Sequence, residues 1–155
     1  MDQAALAAFK AFERKGWEQL ADSYYEVSHA STAKAAEDLL DAVGLGTGDA
    51  AGKTMLDVAT GPGYSAGLAA ARGATATGID LAAAMAAKAQ SLFPAATFRQ
   101  GDAEALPFAD SSFDAVVCAF GLLHFADPDQ AIREARRVLQ PGAGGNVGAV
   151  VHYAT

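Results

Sequence analysis

Leu56-Asp57-Val58-Ala59-Thr60-Gly61-Pro62-Gly63, running directly into a helix-like stretch from Tyr64, is the segment on which the fold of this chain turns. Its first half continues Thr54-Met55, an apolar run of strand length, and its second half is a tight turn. Two glycines in that turn let backbone pass close to a ligand. Downstream, Tyr64 to Arg72 reads as a helix closed by Gly73, Ala74 to Asp80 as a second strand, and then an Ala-rich helix ends at Pro94. Thr97 to Gln100 is a third strand and Phe113 to Phe120 a fourth. Asp127-Pro128 then supplies an N-cap and first-turn proline for a helix carrying Ala131, Ile132, Ala135, Val138 and Leu139. Asn146 to Tyr153 reads as a fifth strand. Upstream, two helices are expected, one with Ala5, Phe9 and Phe12 on a face, the next with Ala36, Leu39, Leu40 and Val43 and closed by Gly44. Strands alternating with helices predict an α/β, Rossmann-like, mostly parallel sheet with helices on both faces.

Composition narrows the function. The 155 residues suit one structural domain, and 52% apolar against 19% charged residues is the balance of a folded chain. A net charge of −7 repels a phosphate backbone, so no nucleic-acid partner is expected. Cys118 is the only cysteine, which leaves no disulfide framework and fits a reducing, cytoplasmic setting. The acidic start Met1-Asp2-Gln3 is unlike a secretory signal, and no apolar stretch is long enough for a membrane span. His29 and His152 are far apart without ligand spacing, so no metal site is expected.

The glycine turn lies where open α/β sheets bind nucleotide-like ligands, at the carboxyl edge beside the strand at which the order reverses. A dinucleotide would call for Gly-x-Gly-x-x-Gly, whereas here position 66 is Ala66 and the third glycine comes at Gly67. Asp57 would repel a pyrophosphate and suits a ligand with an ammonium group. Asp80 closes the second strand where a carboxylate can accept both ribose hydroxyls. Asp102, after the third strand, could accept an adenine amino group. Each Asp alone is as easily a cap or turn residue; together they favour a site.

With Leu56 to Gly63, Gly78-Ile79-Asp80 and Gly101-Asp102-Ala103-Glu104-Ala105-Leu106-Pro107-Phe108, the chain resembles a class I S-adenosylmethionine-dependent methyltransferase. Ser112-Phe113-Asp114-Ala115-Val116-Val117, Phe120-Gly121-Leu122-Leu123-His124 and Arg137-Val138-Leu139-Gln140-Pro141-Gly142 resemble the small-molecule subgroup that includes ubiquinone and menaquinone C-methylases. The likeness runs from about Trp17 to Pro141. It implies S-adenosylmethionine as cofactor, with S-adenosylhomocysteine as product, and a small-molecule methyl acceptor. Gly61 and Gly63 would pass under the amino-acid part, beside Ala59, and Asp57 would help hold it. Asp80 and Leu81 would take the ribose, Met85 would pack on adenine, and Asp102 with Ala103 would read the adenine edge. Ala119 and Phe120 would lie near the methionine chain. Residues 1–45 would form a helical lid over the cofactor, and 46–155 the Rossmann-like core.

Methyl transfer is an in-line displacement, so alignment and exclusion of water dominate. His124 is the candidate weak base by type and position, although a packing role at the rim is the commoner fate of such a residue. Tyr24 and Tyr25, after Trp17, could close over the cofactor or simply pack a core. The chain departs from the resemblance at its end. Family members continue past the fifth strand with a helix and two more strands, and the turn Pro141-Gly142-Ala143-Gly144-Gly145-Asn146 carries extra glycines. The expectation is a five-stranded sheet, order 3-2-1-4-5, lacking the last two strands. Its exposed edge, Val147 to Val151, would pair in a homodimer or exchange that segment. A cofactor-binding remnant or regulatory module without turnover is the alternative function, and a nicotinamide-dependent oxidoreductase a weaker one.

Overall fold

The computed structural model describes residues 2–141 and 150–151. Four strands, β1 (Thr54–Val58), β2 (Thr75–Asp80), β3 (Thr97–Gln100) and β4 (Ala115–Ala119), form a parallel sheet in the order 3-2-1-4. Helices α1 (Gln3–Ala42), α2 (Tyr64–Ala71), α3 (Ala83–Leu92) and α4 (Pro128–Val138) complete the Rossmann-like architecture, with a short 3-10 turn at Leu122–His124. A two-residue strand, β5 (Val150–Val151), lies parallel to β4 in the register Cys118↔Val150 and Ala119↔Val151. The rest of the expected fifth strand, and most of the edge from 147 to 151, lie outside the described residues.

The pleat sorts the core. Met55 and Val117 pack with Leu40 and Val43 at the end of α1 and with Ala66 and Ala69 of α2. Leu56, Val58 and Val116 pack instead with Ala131 and Val138 of α4. Alternation within β1 thus assigns successive residues to different clusters, which fixes the register against a one-residue slip.

The two expected N-terminal helices are one. α1 runs unbroken through 40 residues; the segment holds no proline, and its Ser28 and Thr32 hydroxyls bond backward to carbonyls one turn earlier, at Tyr24 and Ser28, without interrupting it. Gly44 follows with φ +73, a left-handed conformation that suits the helix end. The fourth strand is shorter than expected. Phe113 forms only an isolated bridge to Leu139, and Phe120 at φ +62 turns the chain out of the sheet. Asp127 caps α4 as anticipated, accepting from the Gln130 N–H at 3.0 Å with Pro128 in the first turn.

Candidate functional site

All strands of a parallel sheet end on one edge, so their C-terminal residues are brought together without further design. A cavity of about 210 Å³ opens there, and Asp57, Asp80 and Asp102 all line it. Ala59, Gly61, Leu81, Met85, Ala103, Ala119 and Phe120, each expected near the ligand, border the same space. Tyr24 and His124 do so as well. Gly61 is at φ +52 with open space where a Cβ would stand. Gly63 is not among the lining residues; at φ +91, its missing side chain leaves room for Ala89 and the Phe98 ring, each 2.8 Å from where a Cβ would be. Its part is to let α2 start close to α3 and β3.

Asp57 is buried, and one carboxylate oxygen accepts from Thr60 Oγ1 at 2.6 Å and from the Ala66 N–H at 3.3 Å. The other oxygen has no partner among the described residues. Burial pushes this carboxyl from 3.8 up to about 7, against the pull of those two hydrogen bonds. An ammonium placed against the bare oxygen would meet a buried acceptor that lacks a donor. Asp80 is also raised by burial, and its two oxygens accept from Ala82 N–H and Gly61 N–H, both at 2.9 Å. Each oxygen keeps a lone pair for a hydroxyl. The glycine turn and the second strand's Asp are therefore one hydrogen-bonded unit.

Asp102 lines the cavity and is also engaged by the protein itself. Lys10, from α1, reaches Asp102 at 2.7 Å and Glu104 at 2.6 Å. Burial works against the Lys10 charge, but the two carboxylates outweigh it and raise its titration point. The Asp102 side of the cavity is thus bridged to the N-terminal helix.

Lys10, Glu13, Trp17 and Tyr24 of α1 follow at spacings of three, four and seven, so one helical face lines the cavity. Tyr24, with Trp17 before it, was expected there; Lys10 and Glu13 were not marked by any motif. Glu13 and Lys10 carry charge into it. Trp17 and Tyr24 meet edge-on at 5.1 Å. Glu18, on the same helix, accepts from the Ala83 and Ala84 N–H groups at 2.6 and 3.0 Å and holds α1 against the start of α3. Tyr25 stacks on Tyr64 at 5.7 Å and is not among the residues lining the cavity. No composition or spacing signal points to Lys10 or Glu13, since a charged residue on a long helix ordinarily faces water.

The sequence profile described as a methyltransferase domain matches residues 56–144. The chain belongs to that methyltransferase domain family. Demethylmenaquinone methyltransferase of Chlorobaculum parvum is 46% identical over 57% of this chain and 37% of its own length. Ubiquinone biosynthesis O-methyltransferase of Pseudomonas fluorescens is 35% identical over 92% of the chain and 60% of its own. A candidate methyltransferase of Bacillus halodurans C-125 superposes with a TM-score of 0.63 at 30% identity, over 70% of this chain and 48% of that one. The chain spans less than two thirds of the length of each of these relatives. The residues present at this edge of the sheet fit S-adenosylmethionine: a bare buried carboxylate oxygen for an ammonium, and a carboxylate with spare lone pairs for a diol.

Proposed function

We propose that this chain is the S-adenosylmethionine-binding core of a methyltransferase acting on a small aromatic hydroxyl compound. One observation carries the reading: Asp57, Asp80 and Asp102, from three successive strand ends, converge on one cavity, and Asp57 keeps a buried oxygen without a partner among the described residues. Asp57, with Ala59 and Gly61, would hold the amino-acid part. Asp80 and Leu81 would take the ribose, Met85 the adenine face, Asp102 and Ala103 the adenine edge, and Ala119, Phe120 and Tyr24 the surroundings of the sulfonium. Gly63 would serve by packing. The cofactor supplies an electrophilic methyl group; the chain supplies alignment and a dry wall. The acceptor class is suggested by the quinone names of the relatives and by Trp17, Tyr24 and Phe120 along the cavity.

The finer architecture belongs to the same reading. We take the sheet as five-stranded, 3-2-1-4-5, with helices on both faces, residues 1–45 as lid and 46–155 as core. A cytoplasmic setting accords with a single thiol, at the buried Cys118. Pairing of two chains across the fifth strand would give a homodimer, and a monodisperse monomer by light scattering would remove that part. The reading carries no nucleic-acid or membrane partner.

Calorimetric titration with S-adenosylmethionine, S-adenosylhomocysteine and NAD tests the core of the proposal. Micromolar binding of the first two and none of NAD is expected. Binding without transfer to any hydroxylated aromatic acceptor would favour the regulatory or remnant alternative.

A further inference from the structure

His124 is not left to itself at the rim. Its Nδ1 lies 2.9 Å from Glu13 Oε2, across 111 positions of sequence. The same Glu13 oxygen accepts from the Trp17 indole N–H at 3.1 Å, and the Trp17 ring stands edge-on to the imidazole, centroids 5.0 Å apart at 89°. Glu13 is held on both sides and its side chain is only 16% exposed, whereas His124 is 37% exposed and lines the cavity. A carboxylate accepts only, so Nδ1 must donate, and the ring's acceptor is then Nε2. Among the described residues Nε2 has no hydrogen-bond partner. His124 and Asp80 line the same cavity.

We propose that Glu13 is a positioning residue that fixes His124 with its proton on Nδ1, and that His124 Nε2 is the base that takes the proton of a hydroxyl acceptor. The inference rests on the methyltransferase reading above. The hydroxyl proton passes to Nε2 while the oxygen lone pair forms the bond to the methyl carbon; the carbon–sulfur bond breaks with its electron pair left on sulfur. The positive charge that began on sulfur ends on the imidazolium, where the Glu13 carboxylate stabilises it until the proton returns to water. Trp17 holds the carboxylate in place and blocks the water that would otherwise solvate it.

Two measurements test this. Nitrogen-15 NMR of ligand-free protein reads the His124 tautomer: Nδ1–H is expected in the parent and in Glu13→Gln, whose amide oxygen still accepts, and redistribution toward Nε2–H in Glu13→Leu. A parent that carries Nε2–H, or a tautomer indifferent to Glu13→Leu, overturns the assignment. With 1,4-dihydroxynaphthalene as acceptor, His124→Ala should lower kcat on the order of a hundredfold and Glu13→Leu about tenfold, with the KM for S-adenosylmethionine within twofold of the parent. Undiminished kcat in His124→Ala, or bound cofactor with no transfer by the parent, overturns the base role. Failure of the parent to bind S-adenosylmethionine in the calorimeter is a separate result: it removes the methyltransferase reading and the base role with it, while the tautomer measurement still decides the Glu13–His124 pairing.

Discussion

Thr60 Oγ1 donates a 2.6 Å hydrogen bond to one oxygen of Asp57, and the other oxygen of that buried carboxylate has no partner among the described residues. The pairing satisfies half of a charge that the fold has taken out of water. The other half is left without a partner among the described residues.

The half-satisfied carboxylate makes stability depend on pH. With the folded carboxyl near 7 and the unfolded one near 3.8, the native state keeps a proton that the unfolded chain has released between those values. Stability therefore falls as pH rises from about 4 to about 7 and is level above. Asp80, shifted in the same direction, adds to the slope. Asp57→Asn should flatten much of this decline, up to about 4 kcal/mol by the size of the shift, measured as Tm against pH. An unchanged slope would exclude Asp57 as its source.

Ligand binding should carry the opposite proton. An ammonium against Asp57 favours the ionised carboxylate, so binding of S-adenosylhomocysteine at pH 6.5 should release up to about three quarters of a proton per site. Affinity then tightens as pH climbs toward 7. Calorimetry in buffers of different ionisation enthalpy reads the release directly, and Asp57→Asn should abolish it.

Asp80 joins the glycine turn to the start of α3 and faces the cavity. Asp80→Ala should weaken S-adenosylhomocysteine by roughly 1–3 kcal/mol through lost hydrogen bonds to a charged acceptor. Because Gly61 and Ala82 N–H groups lose their acceptor, Tm should fall as well. Unaltered affinity in a folded variant would take Asp80 out of the site.

Gly67 separates packing from binding. A Cβ there would collide with the Phe93 ring, and Gly67 does not line the cavity. Gly67→Ala should cost about 1–3 kcal/mol of stability by overpacking, seen in urea unfolding, with affinity per folded molecule retained. A loss of affinity without loss of stability would reverse this assignment.

Arg137 holds the loop that carries Asp102. It bonds Glu134, Asp110 and the carbonyls of Leu106 and Phe108, at 2.7–2.9 Å. A lysine cannot reproduce that fork, so Arg137→Lys should lose about 1–3 kcal/mol in thermal unfolding. An equal Tm would show the contacts to be incidental.

Much of the site is legible in the amino-acid sequence. Alternating strand and helix signals give a parallel sheet, and a parallel sheet carries its strand ends to one edge, so spacing alone places Asp57, Asp80 and Asp102 together. The capping of α4 by Asp127 is equally local, since a side chain and a backbone N–H three residues on need no distant partner. Gly63 and Gly67 are harder: a glycine needed for close packing and one needed for a ligand look the same until the neighbouring rings are known.

The sequence by itself determined the fold class and the strand-end carboxylates, because those follow from periodicity and short-range turn chemistry. The tertiary structure alone decided that α1 runs as one helix, that Lys10 meets Asp102 and Glu104, and that Glu13 meets His124. Those contacts join residues 92 or more positions apart, and which charges meet across such distances is set by how one long helix packs against α2, α3 and β4, a geometry that no local pattern encodes.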